Sequence, residues 1–244
     1  MTVSDRTSQL DKALRGLRAL VLDGTFRDQA RLSEVALSDR LGTSRTPLRQ
    51  AMDRLVAEGL LQRIATGGCR VATFTENDIA DAIELRGVIE GTAARIAAER
   101  GADPAMMAEA SQVLDRIDRA LADGAAMDFD VYVAANQRFH HLLANMGRSP
   151  LIAREVERIS SLPLASPSAF LGGQELIPDF RASLIRAQQQ HRALLEAIDN
   201  REGARAEALA REHARLAQEN FDYVTRRKPT LAAHVPGLAL VASS

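Results

Sequence analysis

The 244-residue sequence predicts a mainly α-helical protein, an N-terminal winged helix-turn-helix followed by a C-terminal all-helical antiparallel bundle. Three observations carry this reading. Aromatic residues are 4% of the chain with no Trp, while Ala, Leu and Arg abound, and unbranched side chains lose little freedom in a helix. Apolar residues recur every three or four positions through most of the chain. The one stretch with strand character is short and flanks a glycine turn.

The elements follow in order. Leu10, Leu14, Leu17 and Val21 mark a first helix that Asp23-Gly24-Thr25 breaks. Ser33 is placed to cap a short second helix carrying Val35, Leu37 and Leu41, which stops at Gly42. A tight link, Gly42-Thr43-Ser44, leads to a third helix in which Ser44 or Thr46 can cap and Pro47 fits the first turn; it runs to Glu58 and closes at Gly59. Leu60, Leu61, Ile64, Val71 and Phe74 then flank Thr66-Gly67-Gly68, the pattern of a two-stranded hairpin.

From a capping-like Thr75-Glu76-Asn77-Asp78 onward, helices are expected at about 76–100, 104–122, 128–146, 150–162, 181–200 and 204–226. The Pro, Ser and Gly between Leu162 and Asp179 predict a loop or lid, and the segment from Pro229 reads as a peripheral extension. The expected division is 1–75 for the winged domain, 76–228 for the helical bundle, and 229–244 for a tail.

Composition narrows the function classes. With 46% hydrophobic and 26% charged residues the chain is ordinary globular protein, and one cysteine, Cys69, excludes an intrachain disulfide. The segment MTVSDRTSQLDK lacks the apolar core of a signal peptide, and no apolar run approaches the roughly 18 residues of a membrane span, so no membrane partner and a cytoplasmic location are expected. The net charge of -1 conceals an asymmetry: residues 1–75 hold 12 Lys and Arg against 8 Asp and Glu, whereas the remainder holds 19 against 24. The smaller part is basic, as a polyanion-binding domain would be.

On the third helix, Leu48, Met52 and Leu55 share one face, and Arg45 and Arg49, one turn apart, share another. One face docks and the other is free to enter a major groove, where guanidinium bonds guanine O6 and N7. Ser44 and Thr46 stand where they reach phosphate or base edges. A solvated amphipathic helix in an unrelated bundle is the alternative reading of the same pattern. The segment SEVALSDRLGTSRTPLRQAMDRLVAEGLLQR resembles the GntR family of bacterial transcription regulators. That resemblance implies DNA contacts at Ser44, Arg45, Thr46 and Arg49 and a wing tip at Gly67. Met52 stands where the family has Leu, a volume-conserving exchange. The wing carries Thr66-Gly67-Gly68-Cys69 in place of the family's Arg-Gly pair, with Arg70 close by to supply a phosphate contact.

Of the five histidines, three fall on apolar helical faces: His140 with Val133, Leu143 and Ala144, His191 with Leu194, Leu195 and Ile198, and His213 with Leu209 and Leu216. His141 points elsewhere, and His234 lies in the tail. Asn136 is one turn before His140, a usual spacing for two ligands of one metal. A single inward histidine is more often a core residue bonded to a carbonyl. Three neutral imidazoles in one core need a reason that packing does not supply, and first-row divalent metals supply one.

The segments IELRGVIEGTAARIAAERG, NQRFHHLL, QQQHRALLEAI and REHARLAQ are similar to the all-helical FCD domain of the FadR-type branch, and most like its vanillate-type regulators. The resemblance implies a metal on Asn136, His140, His191 and His213, with a neutral Asn where an Asp is commoner; zinc is the first choice, nickel or manganese the others. It also implies a small carboxylate effector, such as vanillate or a hydroxycinnamate, on the open coordination positions. Arg86 is the residue expected to pair with that carboxylate, a salt bridge to Glu90 being its alternative role.

The resulting expectation is a homodimeric repressor of a palindromic double-stranded DNA operator, because one recognition helix contacts too few bases to specify a genomic site. Two rivals are a regulator for which the metal ion is itself the signal, and a metal-dependent enzyme fused to a DNA-binding module. No His-Glu-x-x-His, G-x-S-x-G or phosphate-cradling glycine motif is found, so no enzymatic activity is expected.

Overall fold

The computed structural model describes residues 3–26, 31–122, 127–162, 165–167, 178–227, 235 and 237–242. They form two compact units, one comprising residues up to Asp78 together with Pro236–Ser244, the other Ile79–Val235.

In the first unit α1 (Val3–Leu22), α2 (Glu34–Leu41) and α3 (Arg45–Ala57) precede strands β1 (Leu61–Arg63) and β2 (Cys69–Val71). Helix α1 begins earlier than its apolar periodicity does, because its first turns are polar and carry no hydrophobic signature. Ser33 caps α2, its side chain accepting from the Ala36 amide at 3.3 Å. Gly42 ends α2 at φ 58°, a left-handed conformation that glycine adopts without strain. The strands pair antiparallel with Leu61 opposite Val71 and Arg63 opposite Cys69. Leu14, Leu17, Leu37, Leu48, Met52, Leu55, Leu60 and Val71 close a single core between helices and hairpin. Val35, in contrast, is 52% exposed.

The tail departs from the expected peripheral extension. Its residues 238–240 form a 3-10 turn, Leu240 is buried in the core of the first unit, Phe74 donates its amide to the Leu240 carbonyl at 2.9 Å, and Ala242 donates to Phe74 at 2.7 Å. Pairing across more than 160 positions leaves no local pattern by which the sequence would reveal it.

The second unit is all-helical: α4 (Glu76–Arg100, beginning at the unit boundary), α5 (Pro104–Ala122), α6 (Phe129–Met146), α7 (Pro150–Ser160), α8 (Pro178–Asp199) and α9 (Gly203–Asp222), the last continued by a π-helical turn, Tyr223–Arg227. The Thr75–Asp78 capping box forms as its sequence suggests: the Asp78 amide donates to the Thr75 hydroxyl at 3.1 Å and the Thr75 amide to the Asp78 carboxylate at 2.7 Å. These bonds hold the Asp78 carboxyl below its usual range. The expected loop at 162–179 lies mostly outside the described residues; 165–167 form a turn, and α8 begins at Pro178. Phe139, Leu114, Ile117, Leu142, Leu194 and Ile198 fill the bundle core.

One packing detail decides where the bundle's polar residues meet. Gly87 and Gly91, four apart on α4, face α9 so closely that a Cβ would lie 2.9 Å from the Ala214 side chain and 3.0 Å from the Glu207 carbonyl. The missing side chains let the two helices touch, bringing α4 within reach of the bundle's centre.

Candidate nucleic-acid interface and metal centre

Helix α3 buries Leu48, Ala51, Met52 and Leu55 and leaves Ser44, Arg45, Thr46 and Arg49 exposed on its other side. Ser44 is the N-cap residue but makes no side-chain capping bond. Arg49 donates from Nε to Glu34 on α2 at 2.8 Å, with its side chain 63% exposed. Gly67 lies at the exposed tip of the hairpin with φ 87°, and a Cβ there would meet nothing within 4 Å, so the tip is open to close approach by another molecule. Arg70 is exposed on β2 and bonds across the strand pair to Gln62 at 3.2 and 3.3 Å. Cys69 is buried behind it as a free thiol, its ionisation pushed up by burial. The helix with two exposed arginines and the open glycine tip thus belong to one compact unit and share its core.

In the second unit, α6, α8 and α9 each bring a histidine to the bundle's interior. His191 and His213 approach Nε2 to Nε2 at 3.0 Å, and His213 and His140 at 3.3 Å. All three rings are buried, and one ring nitrogen of each lies within 4.8 Å of the others.

The other ring nitrogens have oxygen partners. His140 Nδ1 is 3.1 Å from the Glu90 carboxylate on α4. His191 Nδ1 is 3.2 Å from Gln188 Oε1, and His213 Nδ1 is 3.1 Å from Gln190 Oε1. Each of these oxygens can only accept. Glu90 is ionised: burial alone would raise its carboxyl, but the charges of His140 and Arg86 beside it prevail and hold it well below the usual range. The amides are oriented by their nitrogens, which donate to Leu114 and Asp118 from Gln188 and to Glu212 from Gln190.

In its neutral form each imidazole spends its one N–H outward at Nδ1 and turns a bare Nε2 lone pair inward. Burial keeps His191 and His213 neutral, with their ionisation pushed far down. Converging lone pairs repel unless a cation lies among them. Imidazoles about 2.1 Å from one ion have neighbouring nitrogens about 3.0–3.4 Å apart, whether the site is tetrahedral or octahedral. The residues present fit a first-row divalent ion.

Asn136 is buried one turn before His140 on α6, and its amide nitrogen donates to the Pro167 carbonyl at 3.1 Å. It shares a cavity of about 30 Å³ with His213, Arg86, Tyr132, Ser183 and Asn220, room for a water molecule or the head of a small ligand. Arg86 is 2% exposed, with Nε and Nη1 buried and unbonded. It makes no direct ion pair with Glu90, although the two charges act on each other. A buried guanidinium with unbonded donors is a place for an anion. His141 is exposed, and His234 lies outside the described residues.

Glu90, Gln188 and Gln190 are polar partners that sequence patterning did not assign to the site. Glu90 is in phase with the buried Ile83, Gly87, Ala94 and Ala97 of α4, a signal that would have placed it inside.

The comparisons agree with this anatomy. Residues 11–71 match the model of bacterial regulatory proteins of the gntR family, and residues 81–216 match the FCD domain. The chain is 26% identical over 196 residues to the uncharacterized HTH-type transcriptional regulator YdhC of Bacillus subtilis (strain 168), covering 80% of this chain and 83% of that one. It is 26% identical to the HTH-type transcriptional repressor GlaR of Escherichia coli (strain K12) over 82% of this chain and 89% of that one. Among solved structures, E. coli McbR/YncC superposes with a TM-score of 0.62 at 20% identity, covering 90% of this chain and 98% of that one, a likeness of fold. These families and relatives are transcriptional regulators and not enzymes. Among the described residues no helix is long and apolar enough to cross a membrane.

Proposed function

The chain belongs to the FCD-domain branch of the gntR family of bacterial transcriptional regulators, and from that premise we propose that it is a homodimeric repressor released by a small carboxylate bound beside a metal ion. The relative named as a repressor supports the sign of regulation. Ser44, Arg45, Thr46, Arg49 and Gly67 would contact a palindromic operator, two-fold pairing doubling what one short helix can read.

The observation that carries the metal reading is the convergence of three buried imidazole Nε2 atoms, those of His140, His191 and His213, at 3.0 and 3.3 Å. Together with the Asn136 oxygen they would hold a divalent ion, zinc first, and the ion would supply a Lewis-acidic position for a carboxylate oxygen. Glu90, Gln188 and Gln190 orient the rings. Arg86, with two buried unbonded donors, would take the carboxylate's other oxygen. Binding would bias the bundle between two arrangements, and its power to release DNA is limited by its differential affinity for them. The resemblance to vanillate-type regulators makes vanillate and hydroxycinnamates the first compounds to test. Elemental analysis of untagged protein tests the reading directly: about one transition metal per chain is expected, and a fully stable metal-free protein would overturn it.

A further inference from the structure

We propose that Glu34 is a positioning and specificity-determining residue for DNA recognition, holding Arg49 by its Nε and penalising DNA that offers no matching base. The inference rests on α3 being the DNA reader. Glu34 is the first residue of α2, where the helix amino terminus favours a carboxylate, and Ser33 fixes that terminus as its cap. Leu37 of α2 is buried in one core with Leu48 and Met52 of α3, so the distance between the two helices is set by packing.

Across that distance Arg49 Nε donates to Glu34 Oε2 at 2.8 Å. A guanidinium has five N–H donors in one plane. Tying Nε to a fixed carboxylate orients that plane and leaves the Nη edge pointing away, the edge that bonds guanine O6 and N7 together. Arg45, one turn earlier on the same exposed face, has no ion pair or hydrogen bond among the described residues and keeps its freedom. The carboxylate singles out one arginine.

Stability does not account for this pair. With Arg49 63% exposed and Glu34 31% exposed, the ion pair is screened by water and contributes little to folding. A carboxylate on a surface facing phosphates also weakens binding to DNA of any sequence. That cost is repaid only when the arginine it holds finds its base, so the residue raises the ratio of specific to non-specific affinity.

Two variants of the full chain separate the two effects. A duplex is first recovered from a random library by the wild-type protein, and its affinity is compared with that of a random-sequence duplex of equal length. Glu34→Asp keeps the charge but is one methylene too short to hold Arg49; preference for the selected duplex should fall about tenfold while random-duplex affinity stays the same. Glu34→Gln removes the charge and keeps an acceptor; random-duplex affinity should rise, about threefold at low salt. Undiminished preference in Glu34→Asp overturns the positioning role, and unchanged random-duplex affinity in Glu34→Gln overturns the penalty. Arg49→Ala is the control: if it too keeps full preference, α3 is not the reader and the proposal falls with that reading; if Arg49→Ala loses preference and Glu34→Asp does not, only the role of Glu34 falls.

Discussion

His191 and His213 face each other through Nε2 atoms 3.0 Å apart, while Gln188 and Gln190 accept the Nδ1 protons of the same two rings. Neither ring has a proton left to place between them, so the contact is repulsive in the metal-free protein and attractive around a cation. His191→Ala is expected to abolish stoichiometric metal in untagged protein. Chelation should lower the thermal midpoint of the wild type by about 10 °C, the loss of about 4 kcal/mol when metal stands near a thousand times its dissociation constant. Chelator-insensitive melting would make the three rings ordinary core residues.

Glu90 is the sole carboxylate among the buried residues described, and it accepts from His140 at 3.1 Å. Because Asn136 brings no charge, Glu90 would be the nearby negative charge for a cation held by the three histidines. Glu90→Gln keeps an acceptor for His140 and removes the charge; metal affinity is expected to fall about tenfold with the fold intact. Glu90→Ala should be worse in both respects, since it removes the charge and also leaves the buried His140 Nδ1–H without its acceptor. Competition with a chromophoric chelator measures both, and equal affinities in wild type and Glu90→Gln would deny Glu90 any part in holding metal.

The pH dependence of the metal-free protein has a definite sign. Burial, and then the charge of neighbouring histidines, pushes the ionisation of His191 and His213 far below the free value of 6.5. The unfolded chain therefore binds more protons than the folded one as pH falls below about 6.5, and stability declines with acidification. Above pH 7 both states hold neutral rings and stability is level. Urea midpoints with chelator present should be constant from pH 8 to 7 and fall from 6.5 to 5. With metal the fall should be steeper, because protons then also compete for the ligands. A flat profile through that window would contradict the buried neutral rings.

What the sequence revealed and what it hid differ in range. Gly42, the arginine pair of α3 and the inward phase of His140, His191 and His213 are local facts, fixed by a turn's backbone or a helix's period, and each is found where the pattern puts it. The match of Glu90 to His140, fifty residues away, depends on α4 and α9 touching through Gly87 and Gly91, and no local period encodes which helix a buried residue will meet. The docking of Leu240 beside Phe74 was hidden for the same reason. Arg86 stood between two readings, and its lack of a direct ion pair with Glu90 favours the one in which its donors await an anion.

Arg49 tests the other end of the molecule. Arg49→Ala should leave the fold intact, as the side chain is 63% exposed, and lower affinity for a selected duplex by about tenfold or more. The binding isotherm's slope with salt should change by at most about one ion, because the lost contact is to a base. Unchanged affinity in a gel-shift titration would remove α3 from the interface.

Arg86 provides the test that separates effector from metal. Its Nε and Nη1 are buried without partners beside a cavity that also touches Asn136 and His213. If a carboxylate binds with one oxygen on the metal and one on the guanidinium, Arg86→Gln should retain about one metal per chain and lose the rise in melting temperature that small carboxylates give the wild type, because a ligand stabilises only the state it binds. Operator release by the same acids should be lost in parallel, since release depends on differential affinity between the two arrangements of the bundle. Loss of metal in Arg86→Gln would instead make the residue a structural counter-charge for Glu90. Retention of both metal and carboxylate response would remove Arg86 from the effector site, while an operator affinity that follows free metal and ignores every acid would identify the ion as the signal.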